Sequence, residues 1–148
     1  MLKANELRIG NFIFWNSKLS SPETSLLPFP IEVTSIFGDK IGYISPGIEH
    51  RSESFEDDLL QTQTAHGSLE EFGPILLTHD ILEKCGFENT DANDDQYRNY
   101  RKEPLTIRIV ADSSIRADIG DREFACQYLH QLQNIYFDLT GEELEVTF

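Results

Sequence analysis

Cys126 and His130 stand four positions apart, and a thiol beside an imidazole can form a thiolate pair able to attack an electrophile. Gln131, Gln133 and Asn134 follow directly and add amide donors and acceptors to the same stretch. The local pattern puts Cys126 on a strand and His130 at the start of the next helix, so the four-residue adjacency of a helix does not join them. A buried cysteine next to a helix-starting histidine accounts for the spacing, and a small enzyme using Cys126 and His130 ranks last among the functional readings. A second group, Tyr97, Arg98, Tyr100, Arg101 and Lys102, interleaves rings with cations as single-strand nucleic-acid surfaces do. A strand with Tyr turned inward and Arg outward explains that group equally well.

Other chemistry has less to stand on. His50, His66, His79 and His130 have no spacing that closes a metal site, and His79-Asp80 directly after Thr78 reads as the start of a helix. The run Glu56-Asp57-Asp58 lacks the glycine and the alternating oxygen ligands of a calcium loop. Neither a glycine-rich phosphate loop nor a serine nucleophile elbow occurs. No catalytic residue, metal or cofactor is predicted.

The charge is unevenly spread. Twenty-six acidic and 12 basic residues leave a net charge of −14, which opposes general attraction to nucleic acid or an anionic membrane. Residues 53–95 hold twelve acids against Lys84 alone, whereas 1–52 and 96–148 are closer to balance. The plain reading is a solvated face that keeps the protein in solution. Cys85 and Cys126 show neither a disulfide framework nor zinc spacing and read as reduced thiols. Apolar runs of at most four residues in Met1–Trp15 fall short of a signal peptide, so a cytoplasmic location is predicted.

The elements that must position these residues follow from periodicity. A short turn over Lys3–Leu7 leads to a strand over Asn11–Trp15, and Asn16–Pro30 is a Ser- and Pro-rich loop. Ile31, Val33, Ser35 and Phe37 alternate, Gly38-Asp39 turns, and Ile41–Ile44 returns as a hairpin, which together begin like a small SH3-like barrel. Residues 51–73 read as an acidic loop. Thr78 caps a helix over 78–85 with Ile81, Leu82 and Cys85 on one stripe, and Gly86 ends it. Leu105–Ile109 and Ile115–Ile119 alternate as a hairpin that pairs Ile109 with Ala117 and brings Arg108 to Asp118. A strand through Phe124, Cys126 and Tyr128 feeds a helix over 129–140 with Leu132, Ile135, Tyr136 and Leu139 as its core face, and Leu144, Val146 and Phe148 alternate as a closing strand. The whole is predicted as one α+β domain, mostly antiparallel sheet with two helices packed on it, subdivided into 1–50, 51–73 and 74–148.

Three segments carry a resemblance: Lys3–Asn11; Leu77-Thr78 through Gly86-Phe87; and Leu129-His130-Gln131-Leu132-Gln133-Asn134-Ile135-Tyr136-Phe137 with Thr140-Gly141-Glu142-Glu143-Leu144. Together they resemble a family of short proteins of uncharacterised activity from gut anaerobic bacteria and their phages. The resemblance spans nearly the whole chain but not Ser45–Phe72. It implies an intracellular setting and a link to prophages or mobile elements, and carries over no catalytic residue.

The function these readings favour is a non-enzymatic protein-interaction module, acting through an exposed face of the last helix or an edge strand. Its partner is another protein or a second copy, not nucleic acid or a membrane. The candidate surface is His130, Gln131, Gln133 and Asn134 with Tyr97, Arg98, Tyr100 and Arg101. The alternative is an acidic decoy whose Glu53–Asp95 carboxylates imitate nucleic-acid phosphates toward a basic host protein.

Overall fold

The computed structural model describes residues 2–15, 30–45, 65–90, 97–110 and 114–148. Two compact units are present, Met1–Pro74 with Phe148, and Ile75–Thr147. Each holds a five-stranded antiparallel sheet, and with two helices the class is α+β as predicted. No helix among the described residues is long and apolar enough to cross a membrane.

The first unit contains β1 (Phe12–Trp15), β2 (Pro30–Phe37), β3 (Lys40–Ile44), β4 (Ala65–Ser68) and β5 (Phe72–Gly73), in the spatial order β4-β3-β2-β1-β5. Asn11 organises its entry. The buried side chain accepts the Arg8 N–H at 2.8 Å, while its backbone carbonyl accepts the Val33 N–H at 2.9 Å, so turn and sheet share one residue. Leu2, Leu7, Ile13, Ile31, Val33, Ile41, Leu69 and Phe72 form the core.

The predicted hairpin is present, with one difference. Val33 pairs with Tyr43 but Ser35 pairs with Gly42, so Thr34 is an extra residue. Such a bulge resets the alternation. Ile36 consequently packs against the core, and Phe37, predicted on the inner side, is 68% exposed. Of the acidic loop predicted over 51–73, residues 51–64 lie outside the described residues, and the remainder is ordered: β4, a 3₁₀ turn over Leu69–Glu71 and β5 occupy Ala65–Gly73. Ala65-His66-Gly67-Ser68 has no strand signature of its own and is extended because β3 pairs with it.

In the second unit, α1 (His79–Lys84) starts where the Thr78 hydroxyl accepts the Ile81 N–H. It ends with Phe87 donating to the Leu82 carbonyl and Gly86, at φ +77°, donating to that of Glu83. This pair of bonds needs a left-handed residue, which glycine supplies without strain. Then come β6 (Glu88–Asn89), β7 (Tyr97–Lys102), β8 (Leu105–Val110), β9 (Ile115–Ile119), β10 (Arg122–Ala125) and α2 (Leu129–Thr140), with sheet order β10-β9-β8-β7-β6. Leu82, Leu105, Ile107, Ala117, Leu129 and Leu132 have no exposure.

Three predictions here are corrected. Ala117 pairs with Ile107, and Ile109 with Ile115, a shift of two residues that keeps every side chain on its predicted face. Residues 111–113, between the two strands, lie outside the described residues. The strand through Phe124 ends at Ala125; beyond it Leu77 donates to the Gln127 carbonyl and Leu129 to that of Ile75, so Cys126–Tyr128 borders the 75–77 segment. No closing strand forms over 144–148: Leu144 is buried and Thr147 donates to the Lys84 carbonyl, one of the acceptors left over at the end of α1.

Gly67 offers a direct check on this packing. A Cβ there would sit 2.7 Å from Glu71 Oε2 and 2.8 Å from two carbons of the Phe72 ring, whereas one on Gly73 would meet nothing within 4 Å. Urea denaturation should show Gly67→Ala less stable by about 1–3 kcal/mol and Gly73→Ala within about 0.5 kcal/mol of the parent; equal effects would contradict this arrangement of β4 and β5.

Candidate functional site

The Leu129–Thr140 helix, the centre of the predicted interaction surface, is held at its first turn by Gln131. Its Oε1 accepts the N–H groups of Gln127 at 3.0 Å and Tyr128 at 3.3 Å, two donors that the helix itself cannot satisfy. Leu129 and Leu132 enter the core with no exposure, and at 100° per residue these two fix which way every other side chain points.

The outcome differs from the predicted core face. His130 and Gln133 are 1% exposed, Ile135 and Tyr136 are half-buried, and Leu139 is 42% exposed. The helix is rolled so that an imidazole and an amide lie inside while Ile135 and Leu139 lie toward the rim. His130 stacks against Tyr128 with the rings 9° from parallel and 5.8 Å apart. His130 and Gln133 therefore leave the candidate surface, which keeps Gln131 and Asn134 and gains Ile135, Asp138 and Leu139.

The β7 group is also divided. Strand alternation places Arg98, Tyr100 and Lys102 on one face, with Asn99 and Arg101 on the other. Tyr100 is buried, and its hydroxyl is hydrogen-bonded to His79 Nδ1 at 2.7 Å, so His79 joins α1 to the sheet. Lys102 Nζ donates to the Cys85 carbonyl at 2.8 Å and stands 5.5 Å from the centre of the Tyr136 ring. It thus completes the C-terminal end of α1, where a cation is favourable, and holds it near α2. Tyr97 opens β7 opposite Val110, Arg98 is exposed, and Arg101 is exposed and paired with Glu103. Tyr100 and Lys102 are thereby structural, and the ring-and-cation interleaving is not one continuous surface.

The exposed side of this sheet is a set of cross-strand ion pairs. Arg108 and Arg116 face each other in register, and the repulsion is offset because Arg108 reaches Asp118 at 3.2 Å and Arg116 reaches Glu123 at 2.7 Å. The predicted Arg108–Asp118 proximity is therefore present, although as a diagonal pair.

Cys126 has no exposure, and burial pushes its thiol from an ordinary 9.0 up to about 12. Cys85 is raised likewise to about 12 by burial, slightly opposed by the nearby Lys102 ammonium. Thiols held this high are not nucleophiles at neutral pH. Among the described residues no group of three or more His, Cys, Asp or Glu could hold a metal ion. An open depression lined by Asp80, Glu83, Lys84, Gly86 and Thr147 brings no such set together either.

No family model, curated protein or solved structure matches this chain.

The buried thiols predict a pH dependence. Their folded pKa values lie above the unfolded 9.0, so the stability they confer is complete below about pH 9 and is lost as pH rises toward about 12. The urea midpoint should fall over that window, and less steeply in a Cys85→Ala/Cys126→Ala variant. Parallel curves for the two proteins would show that the thiols are not shielded from ionisation.

Proposed function

We infer that this protein is a non-enzymatic interaction module whose contact surface is the outer side of α2, centred on Ile135 and Leu139. One observation carries the reading: in the same helix two polar side chains are buried while Leu139 is 42% exposed and Ile135, one turn before it, is only half-buried. Removing an amide or imidazole from water has a cost that must be met by partners, and each Å² of aliphatic surface left wet forgoes about 25 cal/mol. A second protein resting on Ile135 and Leu139 restores the lost burial.

Composition supports the same surface. Only Asp138 is charged among the twelve residues of α2, against 26% charged residues in the chain, and depletion of charge marks the centres of protein interfaces. The strand order of the first unit, with its 3₁₀ turn between β4 and β5, supports reading that unit as a small SH3-like barrel. A cytoplasmic module of a phage or mobile element is the setting that fits the three sequence segments shared with the resembling family.

The test is a Leu139→Glu variant compared with the parent for complex formation. Association, with itself or with a co-purifying protein, should weaken at least about tenfold, and the melting temperature should stay within a few degrees because the residue is at the rim. A parent that is monomeric at every concentration and captures nothing through position 139 rules the reading out.

A further inference from the structure

We propose that β10 accepts an extended segment of another protein as a further strand of the second unit's sheet, a segment that carries a basic residue opposite Glu123 and an apolar residue opposite Phe124. The inference stands independently of the α2 face.

Backbone geometry comes first. In an antiparallel ladder, residues that exchange hydrogen bonds with the partner strand alternate with residues whose N–H and C=O groups point away from it. Cys126 donates to the Ile115 carbonyl at 3.3 Å, so in the same register Phe124 is bonded to Ala117 and Arg122 to Ile119. Glu123 and Ala125, opposite Asp118 and Arg116, therefore direct their N–H and C=O groups to the open edge. All four residues of β10 are exposed, and no described strand pairs with their outer side. Donors and acceptors repeated two residues apart along an edge are matched by another extended backbone. The other edge strands among the described residues offer less. β5 and β6 are two residues long, and Gly67 of β4 lies against the Phe72 ring of β5, which brings the two edges of the first sheet together.

Side chains then select the segment. On the covered face Ala117 has no exposure while Phe124 beside it is 41% exposed, so the apolar layer reaches the edge and stops there half covered. An aliphatic or aromatic residue on the added strand continues that layer. On the outer face the carboxylates of Asp118 and Glu123 stand side by side in register, each reached diagonally by an arginine. A lysine or arginine opposite Glu123 meets a carboxylate directly across the ladder, where a like charge would be repelled. The chain's net charge of −14 draws such a basic segment and repels an acidic one.

The probe is a short peptide of alternating valine and lysine, added to the full chain and followed by amide NMR. In the free protein the Glu123 and Ala125 amides should exchange with solvent faster than those of Phe124 and Cys126. Saturating peptide should slow the exchange of Glu123 and Ala125 at least about tenfold, and a valine–glutamate peptide or a fully N-methylated valine–lysine peptide should bind at least about tenfold more weakly. Ala125→Pro removes one outward N–H and leaves the bonds to β9 in place, so it should weaken binding at least about tenfold. Because proline could unsettle β10, Glu123→Gln with an unchanged circular dichroism spectrum serves as a second variant, and it should narrow the gap between the lysine and glutamate peptides. Glu123 and Ala125 amides already protected in the free chain overturn the proposal, because the edge is then covered by the chain itself. Absence of saturable binding overturns it too, and so does binding that N-methylation and Ala125→Pro leave unchanged, which is attraction by net charge alone.

Discussion

Leu105 and Ile107 on β8 and Ala117 on β9 form a row without any exposure, and an antiparallel sheet can keep such a row dry only if another layer covers it. In the second unit the covering residues come from α1 and α2, where Leu82, Leu129 and Leu132 are equally shielded. β7 supplies the polar attachments: the Tyr100–His79 hydrogen bond at one end of α1, and the Lys102–Cys85 bond with the approach to Tyr136 at the other. Residues that look like a binding cluster in sequence are thus consumed in fixing helices to a sheet.

This constraint determines what α2 shows to the outside. Leu129 and Leu132 must enter the core together, and Gln131 must turn back to cap the helix, so the roll angle has no remaining freedom. His130 and Gln133 are carried inward, Ile135 is left half-buried and Leu139 is turned outward. What α2 leaves on its outer side is therefore a consequence of how the first turn is anchored.

Two groups that look reactive in sequence are held in the same way. Cys126 is adjacent in sequence to the helix start, where a thiolate could be stabilised, yet its burial holds the proton on. The guanidinium groups of Arg108 and Arg116 face one another, but Asp118 and Glu123 occupy them. Charge on that sheet face is spent on register, which like-charged neighbours would otherwise disfavour.

Much of this was legible from residues alone where the signal is local. Thr78 and Gly86 bracket α1 because a hydroxyl cap and a left-handed residue act within one turn, and the alternation of β8 and β9 needs only period two. The bulge at Thr34, the strand over Ala65–Ser68 and the two-residue register shift opposite Ala117 were not legible, because each is set by the pairing partner and not by its own residues. The candidate surface divides in the same way. Sequence identified the helix; which of its sides faces outward was decided only by tertiary contacts, since Leu132 and Ile135 are equally apolar and packing against the sheet chose between them.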